Sequence, residues 1–552
     1  MSNKIIECVP NFSEGRNMDV IRRITDAIER TEGVKLLHVD PGKGTNRTVV
    51  TFVGDDNSVV EAAYRAICVA TELIDMRHHT GAHPRFGATD VCPFIPIANA
   101  TMEDCIACAH RLGERVGREL GIPVYLYEYA ATAPHRKNLA DVRAGEYEGI
   151  PRKIILPEWK PDYGPAQFNE KSGNIAIGAR NILIAYNVNL NTTSTRRANA
   201  VAFDVREQGR KVKNEKGEEV VQPGACKAVK GIGWYIPEYK IAQVSMNLTN
   251  IQVTPVHIAF EECVKSATRR GMRVTGSELV GLIPKQALLD AGRYFLEKQQ
   301  RSTGVSEEEL IHIAIKSLGL DDLAPFHPRE RVIEYLIEDA NAQRLVKMNL
   351  REFANETASE SPAPGGGSVA AYVGALGIAL GTMVANLSSH KRGWDERWKE
   401  FSDYAEKGQR IKDRLLSLVD EDTRAFNRIM EAYALPKNTD AEKAARQQAI
   451  QQAVRYAIET PLQVMELSLQ SFEVIKAMAE IGNPNSVSDA GVGAICARGA
   501  VYGAYLNVKI NAGGCEDKTF VQQTLSRAEE VLQLAKKLEE EVLHIVNQKI
   551  AT

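Results

Sequence analysis

Cysteine is scarce in this chain. Nine cysteines among 552 residues are too few and too scattered for a disulfide framework. The lone C-x-x-C, Cys105-Ile106-Ala107-Cys108, lies in a helical pattern with no second pair. It reads as buried reduced thiols rather than a zinc or redox site, and points to a reducing cytoplasm. Neither sign of charge is in excess. With 68 basic and 71 acidic residues, formally −3, there is no global electrostatic case for a nucleic-acid partner. The start is too short and too polar for a signal peptide, so sequons such as Asn11-Phe12-Ser13 are expected to stay bare. Long apolar runs are missing but for one, residues 369–387, uncharged and close to the roughly 20 residues a membrane span needs. Small residues dominate it and charged amphipathic sequence follows at once. It is expected to be a buried core helix, not a membrane anchor.

What is present is ordinary globular sequence, 44% hydrophobic and 25% charged, long enough for three to five units at roughly 100–200 residues each. Residues 19–32 carry Val20, Ile21, Ile24 and Ile28 at helical spacing, and Gly33 stops the run. Residues 34–40 and 47–54 are β-branched strands around Pro41-Gly42-Lys43-Gly44. Ser58 with Glu61 predicts a capping box and a helix to about residue 76. A strand at 91–97, a helix at 101–120 and a strand at 123–129 follow, with 5–9 as the first strand. The order is β-α-β-β-α-β, the ferredoxin-like split βαβ pattern.

The order recurs as strand 175–189, helix 195–207, strands 227–236 and 241–248, helix 255–270 and strand 273–282. From 317 to 349 the pattern loosens, and beyond it only helical periods remain, at 397–434, 440–481, 487–511 and 518–547. The expected fold is multidomain: two α/β subdomains at 1–180 and 181–330, a linker at 331–345, and an all-α helical domain at 346–552. A ligand is expected in a cleft between the two α/β subdomains.

Residues 77–96 hold His78, His79 and His83 together with Gly81, Pro84 and Gly87. The glycines and proline make this a shaped loop that feeds a strand. Histidine takes and returns a proton near neutral pH, so the loop is a candidate for acid–base work. A metal cluster or a plain surface loop are the competing readings, and no H-E-x-x-H pattern supports the metal. Asp40 ends a strand beside a turn, where it either steadies a histidine or caps the turn. Pro364-Gly365-Gly366-Gly367-Ser368 precedes the apolar helix and suits either an anion at a helix N-terminus or a tight turn. It lacks the Gly-Lys-Ser/Thr of a Walker loop. Asp420-Glu421-Asp422 is a charge run on an amphipathic helix, which by itself reads as a solvated face, with Asp420 and Asp422 on different faces so that one of them could meet a cleft. Asp489 and Asn507 are further polar candidates on helices.

Several stretches carry a resemblance. GAHPRFGATDVCPFIP (81–96), ECVPNFSEGRN (7–17), TNRTVVTFVG (45–54), VYLYEYA (124–130), RAGEYEG (143–149) and GIGWYI (231–236) resemble glutamate formimidoyltransferases. APGGGSVAA (363–371) looks like formimidoyltetrahydrofolate cyclodeaminase, and the family pattern V-D-x-D-x-x-A-F is met at 419–426. The chain as a whole resembles the bifunctional formiminotransferase-cyclodeaminase family. That resemblance implies His83 as the catalytic residue of the transferase and Asp422 as that of the cyclodeaminase. Asp40, Arg85, Asp489 and Asn507 are supporting candidates.

Folate binding is implied for Gly164, Pro165, Ala166, Gln167, Phe168, Asn169, Glu170, Lys171, Ser172 and Gly173, a segment that composition alone reads as a solvated linker. Folate carboxylates are expected at Gly365, Gly366, Gly367 and Ser368. Arg47, Arg77 or Arg85 is expected to hold substrate carboxylates, with the choice among them open. The implied reactions pass a formimino group from N-formimidoyl-glutamate to N5 of tetrahydrofolate, then close the ring to 5,10-methenyltetrahydrofolate and release ammonia. Tetrahydrofolate is the co-substrate, as mono- or polyglutamate, with no metal. Homo-oligomerisation is expected, with no nucleic-acid or membrane partner. The rival reading is a metal-assisted amidine hydrolase joined to a folate-binding or assembly module.

Overall fold

The structure, a computed structural model, describes residues 4–81, 83–214, 216–338 and 344–551. Residues 339–343, the middle of the expected linker, lie outside the described residues. Two compact units emerge: Met1–Leu288 with Ile315–Ile337, and Leu289–Ala314 with Glu338–Thr552.

The first unit contains two sheets. Strands β1 (Ile5–Cys8), β2 (Asn11–Phe12), β3 (Val34–Gly42), β4 (Arg47–Gly54), β5 (Thr89–Ala98), β6 (Val124–Glu128) and β7 (Ile175–Ala179) form the first. Its order is β3-β4-β1/β2-β5-β7-β6, because β1 and β2 run end to end between β4 and β5. The β3-β4-β1-β5 part, with helices α1 (Met18–Glu29) and α2 (Ser58–Leu73), is the split βαβ arrangement. Helix α3 (Met102–Leu120) then leads to β6 and β7, which extend the sheet in parallel from β5.

Ile6, Cys8, Val50, Phe52, Cys92 and Phe94 point to the helix side and make the core with α1–α3. Helix α1 is capped by Asn17, whose side chain accepts the N–H groups of Asp19 and Val20. Helix α3 has a full Thr101/Asp104 capping box and ends at Gly121, φ +63°. The box expected at Ser58 and Glu61 does not form. Asp55 Oδ1 takes the N–H of Asn57 and Ser58 instead, and Glu61 is drawn into ion pairs with Arg65 and Arg115.

Helices α4 (Leu139–Val142) and α5 (Glu146–Lys153) cross the far side of the β5-β7-β6 edge, burying Val142 and Ile150 against Val91, Tyr125 and Tyr127. The strand expected over 175–189 is broken in two. Its first half, β7, belongs to the first sheet, and its second, β8 (Ile184–Leu190), opens the second.

The second sheet repeats the topology. Strand β8, helix α6 (Thr195–Val205), β11 (Val229–Ile236), β12 (Ile241–Leu248), helix α7 (Val256–Thr268) and β13 (Val274–Val280) pair antiparallel in the order β11-β12-β8-β13. A hairpin of β9 (Arg210–Lys213) and β10 (Glu219–Gln222), not foreseen in the sequence, stands as its own two-stranded sheet. Helices α8 (Lys285–Lys298) and α9 (Glu307–Leu318) were also unforeseen, and short helices α10 (Pro328–Arg331) and α11 (Ile333–Ile337) follow them.

In the second unit, α12 (Leu350–Thr357) precedes five long helices. These are α13 (Gly366–Ser389), α14 (Trp398–Ala434), α15 (Asp440–Ile481), α16 (Val487–Ala512) and α17 (Lys518–Ala551). The apolar run is α13, and it packs against α14, α15 and α16. Its length and composition would suit a membrane span, but 61% of its most apolar window is buried inside the fold. A Cβ on Gly377 would stand 2.9 Å from the Gly493 carbonyl, and one on Gly493 2.8 Å from the Gly377 carbonyl. Only glycine lets α13 and α16 approach this closely.

Residues 289–314 pack with this bundle although they precede the expected boundary. The loop between α8 and α9 seats Thr303 on Ser402, and Asn386 and Gln409 both donate to the Gly304 carbonyl.

Candidate functional site

His83 sits in the loop between α2 and β5, half-buried. Its Nδ1 lies 2.6 Å from the Pro84 carbonyl. A carbonyl only accepts, so this bond assigns the ring hydrogen to Nδ1 and leaves the Nε2 lone pair free. Burial, then the Arg47 guanidinium, pushes the imidazole pKa down to about 4. The ring is therefore neutral near pH 7, as a proton acceptor must be.

Asp90 stands beneath this loop. Asn11 pairs with Val91 and Phe12 with Thr89, which leaves Asp90 as the extra residue of a β-bulge. The bulge turns its carboxylate to the Val91 side of the sheet, away from the helix core. There Asp90 is fully buried and accepts the Phe86 N–H at 2.7 Å, Arg47 Nη1 at 2.5 Å and Arg143 Nη1 at 2.8 Å. Burial favours its neutral form, but the two guanidinium groups outweigh that and hold it below the usual carboxylate range.

The other predicted residues of this region fall as follows. His79 donates its Nε2 hydrogen to the Asn46 carbonyl, 2.8 Å away, so that edge of its ring is already engaged. Arg85 is engaged by Glu146 at 3.0 Å and Glu148 at 2.5 Å, and Arg77 grips Asp75 through two nitrogens. Asp40 stands on β3 opposite Val49, and His83 is oriented instead by the hydrogen bond that its Nδ1 donates to the Pro84 carbonyl. Among the described residues no three His, Cys, Asp or Glu side chains converge as a metal-binding group. Asp90 and Arg143 went unrecognised in the sequence. Both lay inside quoted family stretches, at 81–96 and 143–149, but nothing marked either as part of the site, because a bulge is a pairing fault that only the sheet reveals.

The segment 164–173 divides. Gly164, Pro165, Ala166 and Gln167 are exposed, and its second half docks on the histidine loop. Ala88 N–H donates to the Ser172 carbonyl, Met76 N–H to the Lys171 carbonyl, and Gly87 bridges Gly173. Phe168 lies 5.4 Å from the Tyr147 ring, and Ser172 N–H is held by Asn169 Oδ1. Glu170 and Lys171 stay exposed at its rim. The second sheet adds a polar face that the sequence did not announce. Asn189 and Gln243 are fully buried on it, bonded at 2.9 Å, and Gln243 and Asn187 both donate to Glu278.

A second site forms within the helical unit. Asp422, from α14, accepts the Ser368 N–H at 2.9 Å and lies 3.0 Å from Ser368 Oγ, which also reaches the Val419 carbonyl at 2.9 Å. Burial pushes the Asp422 pKa up, against the lowering effect of the two Ser368 bonds. A Cβ on Gly367 would fall 2.2 Å from Asp422 Oδ1, so the glycine makes room for the carboxylate. Asn507, from α16, comes within 3.5 Å of where a Gly366 Cβ would be. Gly365 is the N-cap of α13.

Asp489 is not brought here. It lies eighteen residues before Asn507 on the same helix, about 27 Å away at the α-helical rise. The charge run is not a solvated face. Asp420 is buried and accepts the N–H groups of Leu345 and Val346, and Glu421 binds Arg414 and Tyr456. Phe426 and Met430, one and two turns beyond Asp422, stand exposed as apolar surface beside the site.

The geometry thus presents two acid–base groups, a neutral histidine backed by arginines and a half-buried carboxyl at a helix N-terminus. Comparisons with known proteins bear on both. Residues 5–180 match the family described as formiminotransferase domain, N-terminal subdomain; 185–338 match formiminotransferase domain; and 349–530 match formiminotransferase-cyclodeaminase. The chain is 45% identical to the formimidoyltransferase-cyclodeaminase of Mus musculus over 97% of both chains. A glutamate formimidoyltransferase of Streptococcus pyogenes aligns with 53% of the chain at 43% identity, covering 94% of that protein. A methenyltetrahydrofolate cyclohydrolase of Methylorubrum extorquens aligns with 36% of the chain at 37% identity, covering 97% of its own length. With near full-length identity of this order and family matches along both halves, the chain belongs to the formimidoyltransferase-cyclodeaminase family.

Proposed function

We propose that the chain carries out two successive folate reactions of histidine breakdown. The first moves the formimino group of N-formimidoyl-L-glutamate to N5 of tetrahydrofolate, with tetrahydrofolate as co-substrate. N5 attacks the amidine carbon and gives its proton to His83 Nε2. The same imidazole then returns that proton to the glutamate nitrogen as its bond to carbon breaks. The observation that carries this reading is the His83 ring, neutral, with Nδ1 tied to Pro84 and Nε2 free. Docking of residues 171–173 on the histidine loop supports the assignment of 164–173 to folate.

The second reaction closes N10 onto the same carbon. The N10 proton passes to the amidine nitrogen, and a further proton from Asp422 lets ammonia leave, which yields the 5,10-methenyl cation. A carboxyl whose pKa is raised by burial is suited to that delivery. The N-terminus of α13 at Gly365, Gly366, Gly367 and Ser368 is offered to folate carboxylates, of mono- or polyglutamates. Asn507 supports this site. The name of the cyclohydrolase relative has methenyltetrahydrofolate as the molecule acted on, which is the product proposed here. Two transferase subdomains at 1–180 and 181–330, a linker at 331–345 and a cyclodeaminase domain at 346–552 are the proposed division, supported by the family matches at 5–180, 185–338 and 349–530.

A homo-oligomer in the cytoplasm completes the proposal. Nine free thiols accord with a reducing compartment. Helix α16 exposes Val492, Ile495, Tyr502, Leu506 and Ile510 at helical spacing, an apolar stripe suited to a second copy. The test is to mix protein, tetrahydrofolate and formimidoyl-glutamate and follow absorbance. The extended methenyl chromophore and ammonia should appear together. Amidine hydrolysis without folate, abolished by a chelator, would favour the metal-assisted hydrolase instead.

A further inference from the structure

Asp90 binds two arginines with one carboxylate oxygen. Arg47 is nearly buried, its Nε given to Asn11 Oδ1 at 3.1 Å and its Nη1 to Asp90. Arg143 gives Nη1 to the same oxygen, and its Nε is buried with no partner. Among the described residues, Nη2 of neither arginine donates a hydrogen bond to the protein. Guanidinium groups stay protonated. Two cations facing one carboxylate leave one positive charge uncompensated in a place nearly closed to water, a costly arrangement unless an anion completes it. Arg77 and Arg85, the alternatives, already have their forks filled by acidic side chains.

We propose that Arg47 and Arg143, held as a pair by Asp90, bind the α-carboxylate of the formimino donor beside His83. The inference rests on the transferase reading above and names what selects its substrate. In the donor, the nitrogen that leaves is bonded to the α-carbon, so the α-carboxylate carbon lies about 2.5 Å from it by standard bond lengths. A group that reprotonates that nitrogen must have a carboxylate receptor close by. His83 does: the Phe86 N–H three residues along its loop is bonded to Asp90, and both guanidinium groups act electrostatically on its ring. The glutamate tail of the folate is separated from N5 by a whole aminobenzoyl group and belongs elsewhere. Asp90 is a positioning residue, since it touches only the arginines and the loop. Among the described residues the Nε–Nη2 side of Arg143 is uncommitted and supplies the planar fork that carboxylates prefer, to which Arg47 adds Nη2.

The test uses the full chain with tetrahydrofolate and two donors, N-formimidoyl-L-glutamate and N-formimidoyl-4-aminobutyrate, which lacks only the α-carboxylate. The wild type should prefer the first by about 10- to 100-fold in kcat/KM, the range for hydrogen bonds to a charged group. In Arg143→Gln that preference should collapse towards one, with KM for tetrahydrofolate little changed. Arg143→Lys, which keeps the charge but not the fork, should restore part of it. Calorimetric binding of L-glutamate to the folate-free protein should weaken in the same order. If Arg143→Gln fails to fold by circular dichroism, the donor ratio of Arg143→Lys decides. A folded variant that keeps the wild-type ratio overturns the proposal. So does one that loses affinity for tetrahydrofolate and not for the donor, which would make the folate tail the ligand. A wild-type protein that transfers no formimino group overturns the transferase reading and this inference together.

Discussion

Two side chains are expected to separate the two chemistries. His83→Ala removes the proton acceptor for N5, yet the protein should still convert supplied 5-formimidoyltetrahydrofolate to the methenyl form. Asp422→Asn keeps the shape without an ionisable acid, so formimidoyl folate should accumulate and ammonia release stop. Losses of roughly 10²–10⁴-fold in the affected half alone are expected. Ammonia release at the wild-type rate in Asp422→Asn would refute the assignment. The His83 pKa of about 4 sets a pH prediction as well. In the proposed role a neutral imidazole is the active form, so the acid limb of transferase kcat/KM should lie near pH 4, well below the 6.5 of an ordinary histidine. The sign for stability follows the same depressed value. The native state binds fewer protons than the unfolded chain between pH 4 and 6.5, so the contribution of His83 is whole above that window and is lost as pH falls through it. A kinetic limb at pH 6 to 7 would contradict this. Gly367→Ala places a methyl against Asp422 and should abolish ammonia release while transfer continues.

At the level of elements, the loop between α8 and α9 is packed into the helical unit. A Cβ on Gly304 would lie 2.3 Å from Ala405 Cβ and 2.4 Å from its backbone. Gly304→Val should therefore destabilise the bundle by about 1–3 kcal/mol, the usual cost of overpacking, visible as a lower urea midpoint by circular dichroism. A fragment of residues 346–552 should be helical and cooperative, because its long helices share one apolar core, but should melt below the bundle of the intact chain, because it lacks the contacts that Thr303 and Gly304 make with Ser402 and Asn386. Equal melting would show that loop to be a passive passenger. The long helices were legible to within a few residues because a 3.6-residue apolar period is a local signal. Helices α8 and α9 were missed because they lie between the second repeat of the β-α-β-β-α-β pattern and the run of long helices, where no topological expectation drew attention to them.

For the whole molecule, the apolar stripe on α16 sets the expectation. Ile495 is 50% and Leu506 52% exposed, an odd distribution on a helix whose other side is buried in the bundle. Charging both, Ile495→Lys with Leu506→Lys, should yield a smaller species by sedimentation velocity with helicity unchanged. A wild-type protein that sediments as a 60.8 kDa monomer would remove this reading.

The sequence alone determined most of the order of elements and the α/β-then-α division, because periodicity and turn residues are written locally along the chain, and its short motifs put His83, Asp422 and the glycine loop forward as candidates through the family resemblance they carry. Tertiary structure decided what those residues meet. It placed Asp90 by a bulge that depends on three strands pairing, and it joined Arg47 to Arg143, ninety-six positions apart, through one carboxylate. Asn507 was brought to the glycine loop and Asp489 was left at the far end of the same helix. It also showed Asp420 holding a backbone segment where the chain of three acids suggested a wetted face. Pairing across strands and helices is cooperative and non-local, so no window of sequence contains it, whereas a side chain's capacity to carry a proton is already present in its residue type.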